Sequence, residues 1–177
     1  MNTGQTFLTL GAVMLFGMLL LRANDSELST SEEIDNAKFG VMGVALARSR
    51  IDRAFALKFD ALTVLGNALP DVNGNPSSGS FTVAASLGPE ATDKTNSVPV
   101  ESKFNDFDDY NGFTASVDTL PSARYTVTSV VRYVNPANAF GTSSTPTWDK
   151  QITVTVTSPS IEAPIVLSAI SSYWRYN

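Results

Sequence analysis

The residues best suited to chemistry lie in one segment, Lys103-Phe104-Asn105-Asp106-Phe107-Asp108-Asp109-Tyr110-Asn111-Gly112-Phe113. Asp106, Asp108, Asp109 and Asn111 supply carboxylate and amide oxygens just before a glycine. Calcium takes about six to eight oxygen ligands and favours carboxylates at alternate loop positions ahead of a Gly. The spacing departs from the EF-hand pattern, because the residue two before Asp109 is Phe107. Two readings stand side by side: a polar turn held by its aromatic residues, which is the default, and a calcium loop. Asp71-Val72-Asn73-Gly74-Asn75 is a second near match of the same kind. The tail Tyr173-Trp174-Arg175-Tyr176 has ring faces that suit a sugar, and equally suit the sealing of a sheet edge or an interface.

Other chemistry is thin. The chain has no His and no Cys, which removes Ser-His-Asp and Cys-His catalysis, imidazole bases, disulfides and nearly all zinc sites. Asp108 and Asp109 are adjacent and diverge in an extended chain. No Gly-rich phosphate loop or nucleophile elbow is present. The net charge of −5 argues against nucleic acid, whose binding needs clustered Lys and Arg to displace counterions. The expectation is a protein without catalysis and without a cofactor, calcium being the one candidate.

The elements that must position these residues begin with an uncharged apolar run, Thr6 to Leu21, dominated by Phe7, Leu8, Leu10, Val13, Leu15, Phe16, Leu19, Leu20 and Leu21. As a helix it spans roughly 24 Å, short against a bilayer core of about 30 Å. Its strong apolar side chains contribute roughly −4 kcal/mol to insertion, before Thr9 and two glycines subtract. The residues before it hold no Lys or Arg, and no small-x-small site follows Leu21, which argues against a cleaved signal peptide. From Ile34 an amphipathic stretch reads Val41, Val44 or Ala45, Ile51, Phe55 and Leu62, widened by Met42, Leu46, Phe59 and Leu65. Gly40 and Gly43 weaken this helix and would let another helix approach. Glu32, Glu33 and Asp35 crowd one end, and Arg48, Arg50 and Arg53 the other. These charges are either a solvated face or a device that sets axial register between staggered copies.

Pro70 to Gly79 is dense in turn residues and closes the helical part. Period-two patterning then predicts strands at Phe81–Leu87, Gly112–Val117, Arg124–Val134, Lys150–Thr157 and Pro164–Trp174, with Ser158–Ala163 as a hairpin loop. The predicted fold is α+β: a long N-terminal helix, apolar and then amphipathic, packed on a C-terminal antiparallel sheet. The predicted domains are a helical stalk over 1–69 (membrane or filament-core segment 6–21, amphipathic helix 25–69) and a β-rich head over 70–177.

This layout resembles the type IV pilin-like superfamily of pilins, minor pilins and secretion pseudopilins. The likeness covers most of the chain as architecture. It is carried by the Thr6–Leu21 helix start, by Asp106-Phe107-Asp108-Asp109-Tyr110-Asn111-Gly112-Phe113, and by Lys150-Gln151-Ile152-Thr153-Val154-Thr155-Val156-Thr157-Ser158-Pro159. The chain departs from the family's processing motif, in which a Gly is followed by Phe with a Glu five residues into the mature chain. Here Gly4 precedes Gln5-Thr6-Phe7, and Thr9 stands at the fifth place. The resemblance implies a subunit inserted in the inner membrane before assembly and then part of a helical homo-oligomeric filament on the cell surface. The helices would form the filament's core and the heads its outer face, with pilus or secretion machinery as partner. A minor pilin or pseudopilin is the second expectation. A membrane-anchored domain that binds carbohydrate through Tyr173, Trp174 and Tyr176 is the third.

Overall fold

A computed structural model describes residues 2–64, 81–120 and 123–176, without the side chains of 29–32, 64, 119–120, 139–140 and 175–176. The fold is α+β. Helix α1 (Thr3–Ala56) and the short α2 (Ala61–Val64) precede a small ribbon, β1 (Lys94–Thr95) with β2 (Val98–Pro99). Strands β3 (Thr114–Leu120), β4 (Ala123–Asn135), β5 (Asn138–Ser143), β6 (Asp149–Thr157) and β7 (Ile165–Ser172) then form one antiparallel sheet. Its order is β3-β4-β6-β7, with β5 paired to the far end of β4.

The chain divides into two compact units, Met1–Phe39 and Gly40–Asn177. This division falls inside α1, whose second half is buried within the sheet unit. The predicted helix to residue 69 breaks early: α1 ends at Ala56, and Lys58 pairs with the backbone of Asn105 and Phe107 instead of continuing the helix. Residues 65–80, including Leu65, the Asp71–Asn75 near match and the Pro70–Gly79 turn, lie outside the described residues.

In the first unit the helix keeps its apolar side chains on the outside. Phe7, Leu8, Leu10, Val13, Met14, Leu15, Phe16, Met18, Leu19, Leu20 and Leu21 are 57–76% exposed. The Thr6 hydroxyl donates to the Thr3 carbonyl (2.8 Å) and the Thr9 hydroxyl to that of Thr6 (3.0 Å). Both polar groups are thereby satisfied within their own helix.

In the second unit the sheet alternates as its sequence predicts. Tyr125, Val127, Val131 and Tyr133 of β4 and Ile152, Val154 and Val156 of β6 are buried on one face. Threonines 153, 155 and 157 of β6 take the other, so one side of the sheet carries the core. The cover is α1, through Gly43, Ala47, Arg50, Ile51 and Ala54. The predicted stripe is only partly right: Val41 and Val44 are exposed. Small residues win the contact because they let the backbone come close. A Cβ on Gly43 would stand 2.5 Å from Ile165 Cδ1 and 3.7 Å from Val156 Cγ1, so the glycine admits a strand and not a second helix. Gly40 has nothing of the kind near it.

The predicted strand at Phe81–Leu87 is a 3-10 turn over Ala84–Ser86. Its start is diverted by Asp60, whose carboxylate accepts the Thr82 amide (3.1 Å) and hydroxyl (3.1 Å). Phe81 turns inward to pack with Phe59, Tyr133 and Tyr173. Gly88 follows with φ +133°, a conformation that side chains rarely adopt. Strand β5 and the β1–β2 ribbon had no counterpart among the predicted strands. The ribbon turns through Asn96 and Ser97, both at positive φ, as a tight two-residue hairpin requires.

Candidate functional site

The acidic segment is held in place by the residues that follow α1. The Phe107 amide donates to the Lys58 carbonyl (2.7 Å), and the Lys58 amide to that of Asn105 (3.4 Å). Phe107–Tyr110 then makes one 3-10 turn closed by a reciprocal cap. Asp106 Oδ1 accepts the amides of Asp108 (2.9 Å) and Asp109 (3.2 Å). Asp109 Oδ2 accepts those of Asn105 (2.8 Å) and Asp106 (3.1 Å). This is a capping box built from two aspartates.

Asp60, Asp93, Asp106, Asp108, Asp109 and Lys150 are all buried, and Glu90 is half-buried beside them. The Lys150 ammonium spends its three protons on Asp108 Oδ1 (2.5 Å), Asp60 Oδ2 (2.8 Å) and the Phe59 carbonyl (2.8 Å). It also lies over the rings of Phe59 (4.7 Å) and Tyr133 (5.3 Å). Asp93 accepts the Asn105 side-chain amide (3.1 Å) on one oxygen and the Glu90 backbone amide (3.0 Å) on the other.

Glu90 Oε2, Asp106 Oδ2, Asp108 Oδ2 and Asp109 Oδ1 are buried with no hydrogen-bond partner among the described residues. One oxygen from each of Glu90, Asp106 and Asp108 lies within 4.8 Å of the other two, and the same holds for Glu90, Asp93 and Asp109. Burial, reinforced by a hydrogen bond to Asp93 and by neighbouring charges, pushes the Glu90 carboxyl up to about 8. Burial, with the charges of Asp108 and Asp109, pushes Asp106 up to about 10. Asp108 and Asp109 are also raised by burial, against the pull of Lys150 on the first and of two backbone amides on the second.

Of the predicted calcium candidates, Asp106 and Asp108 come together with Glu90, while Asp109 comes together with Glu90 and Asp93. The fourth does not belong with them. Asn111 donates to the Leu87 carbonyl (2.9 Å) and accepts the Val131 amide (3.0 Å), so it ties loop to sheet with both ends of its amide. Glu90, Asp93, Asp60 and Lys150 were not among the predicted site residues. Lys150 was legible, since it shares the buried parity of Ile152, Val154 and Val156 on β6. Glu90 and Asp93 carry no local signal, because only the path of the loop brings them in.

The predicted inter-subunit charges separate into different roles. Arg48 is exposed and pairs with Asp52 one turn on (3.0 Å). Arg53, also exposed, reaches Glu101 (3.2 Å). Arg50 is buried, 3.7 Å from Glu101 and stacked over Tyr110 (5.6 Å) and Phe113 (4.8 Å). It is a structural cation of the head and is not available to a neighbouring copy. Glu33 and Asp35 are exposed; the Glu32 side chain lies outside the described residues. In the aromatic tail Tyr173 is buried against Phe59 and Phe81 while Trp174 is 56% exposed. Tyr173 is thus part of the core and not of a free ring platform; the Tyr176 side chain lies outside the described residues.

No protein-family model matches the chain, and no curated protein or solved structure is significantly similar to it.

Proposed function

We propose that the chain is a structural subunit of a pilus-like filament of the type IV pilin kind, without catalysis, assembled through its apolar N-terminal helix. The observation that carries this reading is the run Phe7–Leu21, whose large apolar side chains are exposed on every side of α1. Contiguous apolar surface on this scale calls for a bilayer or a protein partner. Fully burying one such side chain is worth about 1.5–3 kcal/mol, so covering even a few residues per copy would hold subunits together. The helix is also long and apolar enough to cross a membrane, with mean hydropathy 1.8 in its best window. A moderate insertion energy suits a segment that enters the inner membrane first and leaves it for a filament on the cell surface. The antiparallel sheet unit after a long N-terminal helix fits that architecture.

The test is the double variant Leu15→Asp, Leu19→Asp. Each Asp at the centre of a membrane helix costs about 2.5–3.5 kcal/mol, which together exceeds the roughly −4 kcal/mol of the whole run. Filaments should vanish from the cell surface under electron microscopy. Fibres of normal yield from the variant would show that this helix is not their core.

A further inference from the structure

We propose that the pocket around Glu90 holds one hard divalent cation of the calcium class, on the bare oxygens of Glu90, Asp106 and Asp108. The inference stands on the sheet unit alone and is independent of the filament reading.

The pattern of satisfied and unsatisfied atoms is what points to a ligand. In each of the three aspartates one oxygen is fixed from outside the pocket: by Lys150 for Asp108, and by backbone amides for Asp106 and Asp109. The other oxygen of each is buried and bare, as is Glu90 Oε2. Glu90, Asp106 and Asp108 each offer an oxygen within 4.8 Å of the other two, and outer contacts that fix such inner atoms are what a metal ligand set needs. Around this space the described residues supply six carboxyl groups (Asp60, Glu90, Asp93, Asp106, Asp108 and Asp109) and one buried ammonium, Lys150. An unpaired buried charge is costly, so the cluster calls for further positive charge or for bound protons.

The donor set selects the kind of ion. Every donor is a carboxylate oxygen, and the chain has no His or Cys to offer nitrogen or thiolate, which disfavours zinc and copper. Magnesium keeps several waters and demands near-ideal octahedral geometry. Calcium accepts several protein carboxylates in irregular arrangement. Bound there, it would join the loop at Glu90 to the capped turn at Asp106–Asp109, and through Asp108 and Lys150 to β6.

The experiment uses the full chain in detergent, stripped with EDTA. Saturating calcium chloride should raise Tm by about 5–10 °C, the size expected for a ligand well above its Kd acting on a domain of this length. Metal analysis after gel filtration should find one calcium per chain. Glu90→Gln replaces a half-buried carboxyl whose Oε2 has no partner. Asp106→Asn keeps the Oδ1 acceptor of the cap and loses the bare oxygen. Both variants should keep the wild-type circular dichroism and lose the calcium shift; if Asp106→Asn does not fold, Glu90→Gln decides. An unchanged wild-type Tm in calcium overturns the proposal, as does a full shift retained in Glu90→Gln. An equal shift with magnesium chloride overturns the choice of ion.

Discussion

Lys150 and Arg50 show how two buried cations of similar type do different work. Lys150 pairs with two aspartates at once and has no proton left over. Lys150→Met would fill the space and leave Asp60 and Asp108 unpaired, so the head should lose about 3–5 kcal/mol, the cost of breaking a buried pair. Urea denaturation checks this; a loss below about 1 kcal/mol would mean that the carboxyls are held by something other than the ammonium. Arg50 joins Glu101 to the rings of Tyr110 and Phe113. Arg50→Glu should destabilise by more than about 2 kcal/mol, because it sets a buried carboxylate against the half-buried one of Glu101. Arg48→Glu, at an exposed pair, should change stability by less than about 1 kcal/mol. Thermal melts of the two variants compare them directly. At this scale the sequence was half legible. The parity of β6 put Lys150 inside, and Asp106, Asp108 and Asp109 announced themselves by crowding. Nothing local distinguishes buried Arg50 from exposed Arg48 and Arg53, since the helical phase is set by the small residues Gly43, Ala47 and Ala54, which are buried against the sheet.

The same small-residue face governs the elements. The contact of α1 with β7 depends on Gly43, where an added Cβ meets the terminal methyl of Ile165. That methyl can rotate away, and Ala gains about 1 kcal/mol of helix propensity over Gly. Gly43→Ala should therefore be close to neutral in a thermal melt. Gly43→Leu has no such escape and should cost about 1–3 kcal/mol through overpacking. Equal melting of both would mean that the helix does not rest on Ile165 and Val156. Strands β4, β6 and β7 were readable because alternation is a property of the strand itself and these pair along most of their length. Phe81–Leu87 alternates just as well, yet becomes a 3-10 turn, because the Thr82 amide is claimed by Asp60 and Phe81 by the cluster of Phe59, Tyr133 and Tyr173. That competition is tertiary and leaves no trace in the period. The early stop of α1 has the same origin, the pairing of Lys58 with the Asn105–Phe107 backbone.

For the whole molecule, one chain carries two surfaces of opposite character. The unit over Gly40–Asn177 buries Phe59, Phe81, Phe104, Phe107, Tyr110, Tyr125, Tyr133 and Tyr173. The unit over Met1–Phe39 is a helix whose large apolar side chains over Phe7–Leu21 are exposed. That contrast, together with a composition lacking His and Cys, is why assembly and not catalysis is the central claim. It was also the feature most legible in the sequence, since an uncharged run needs no tertiary information to be recognised. The sharpest test is electron microscopy of material sheared from cells that produce the protein, with the intact mass of its dominant component. The account predicts helical fibres whose main protein is this chain. Absence of fibres, with the protein retained in the membrane fraction, would contradict it.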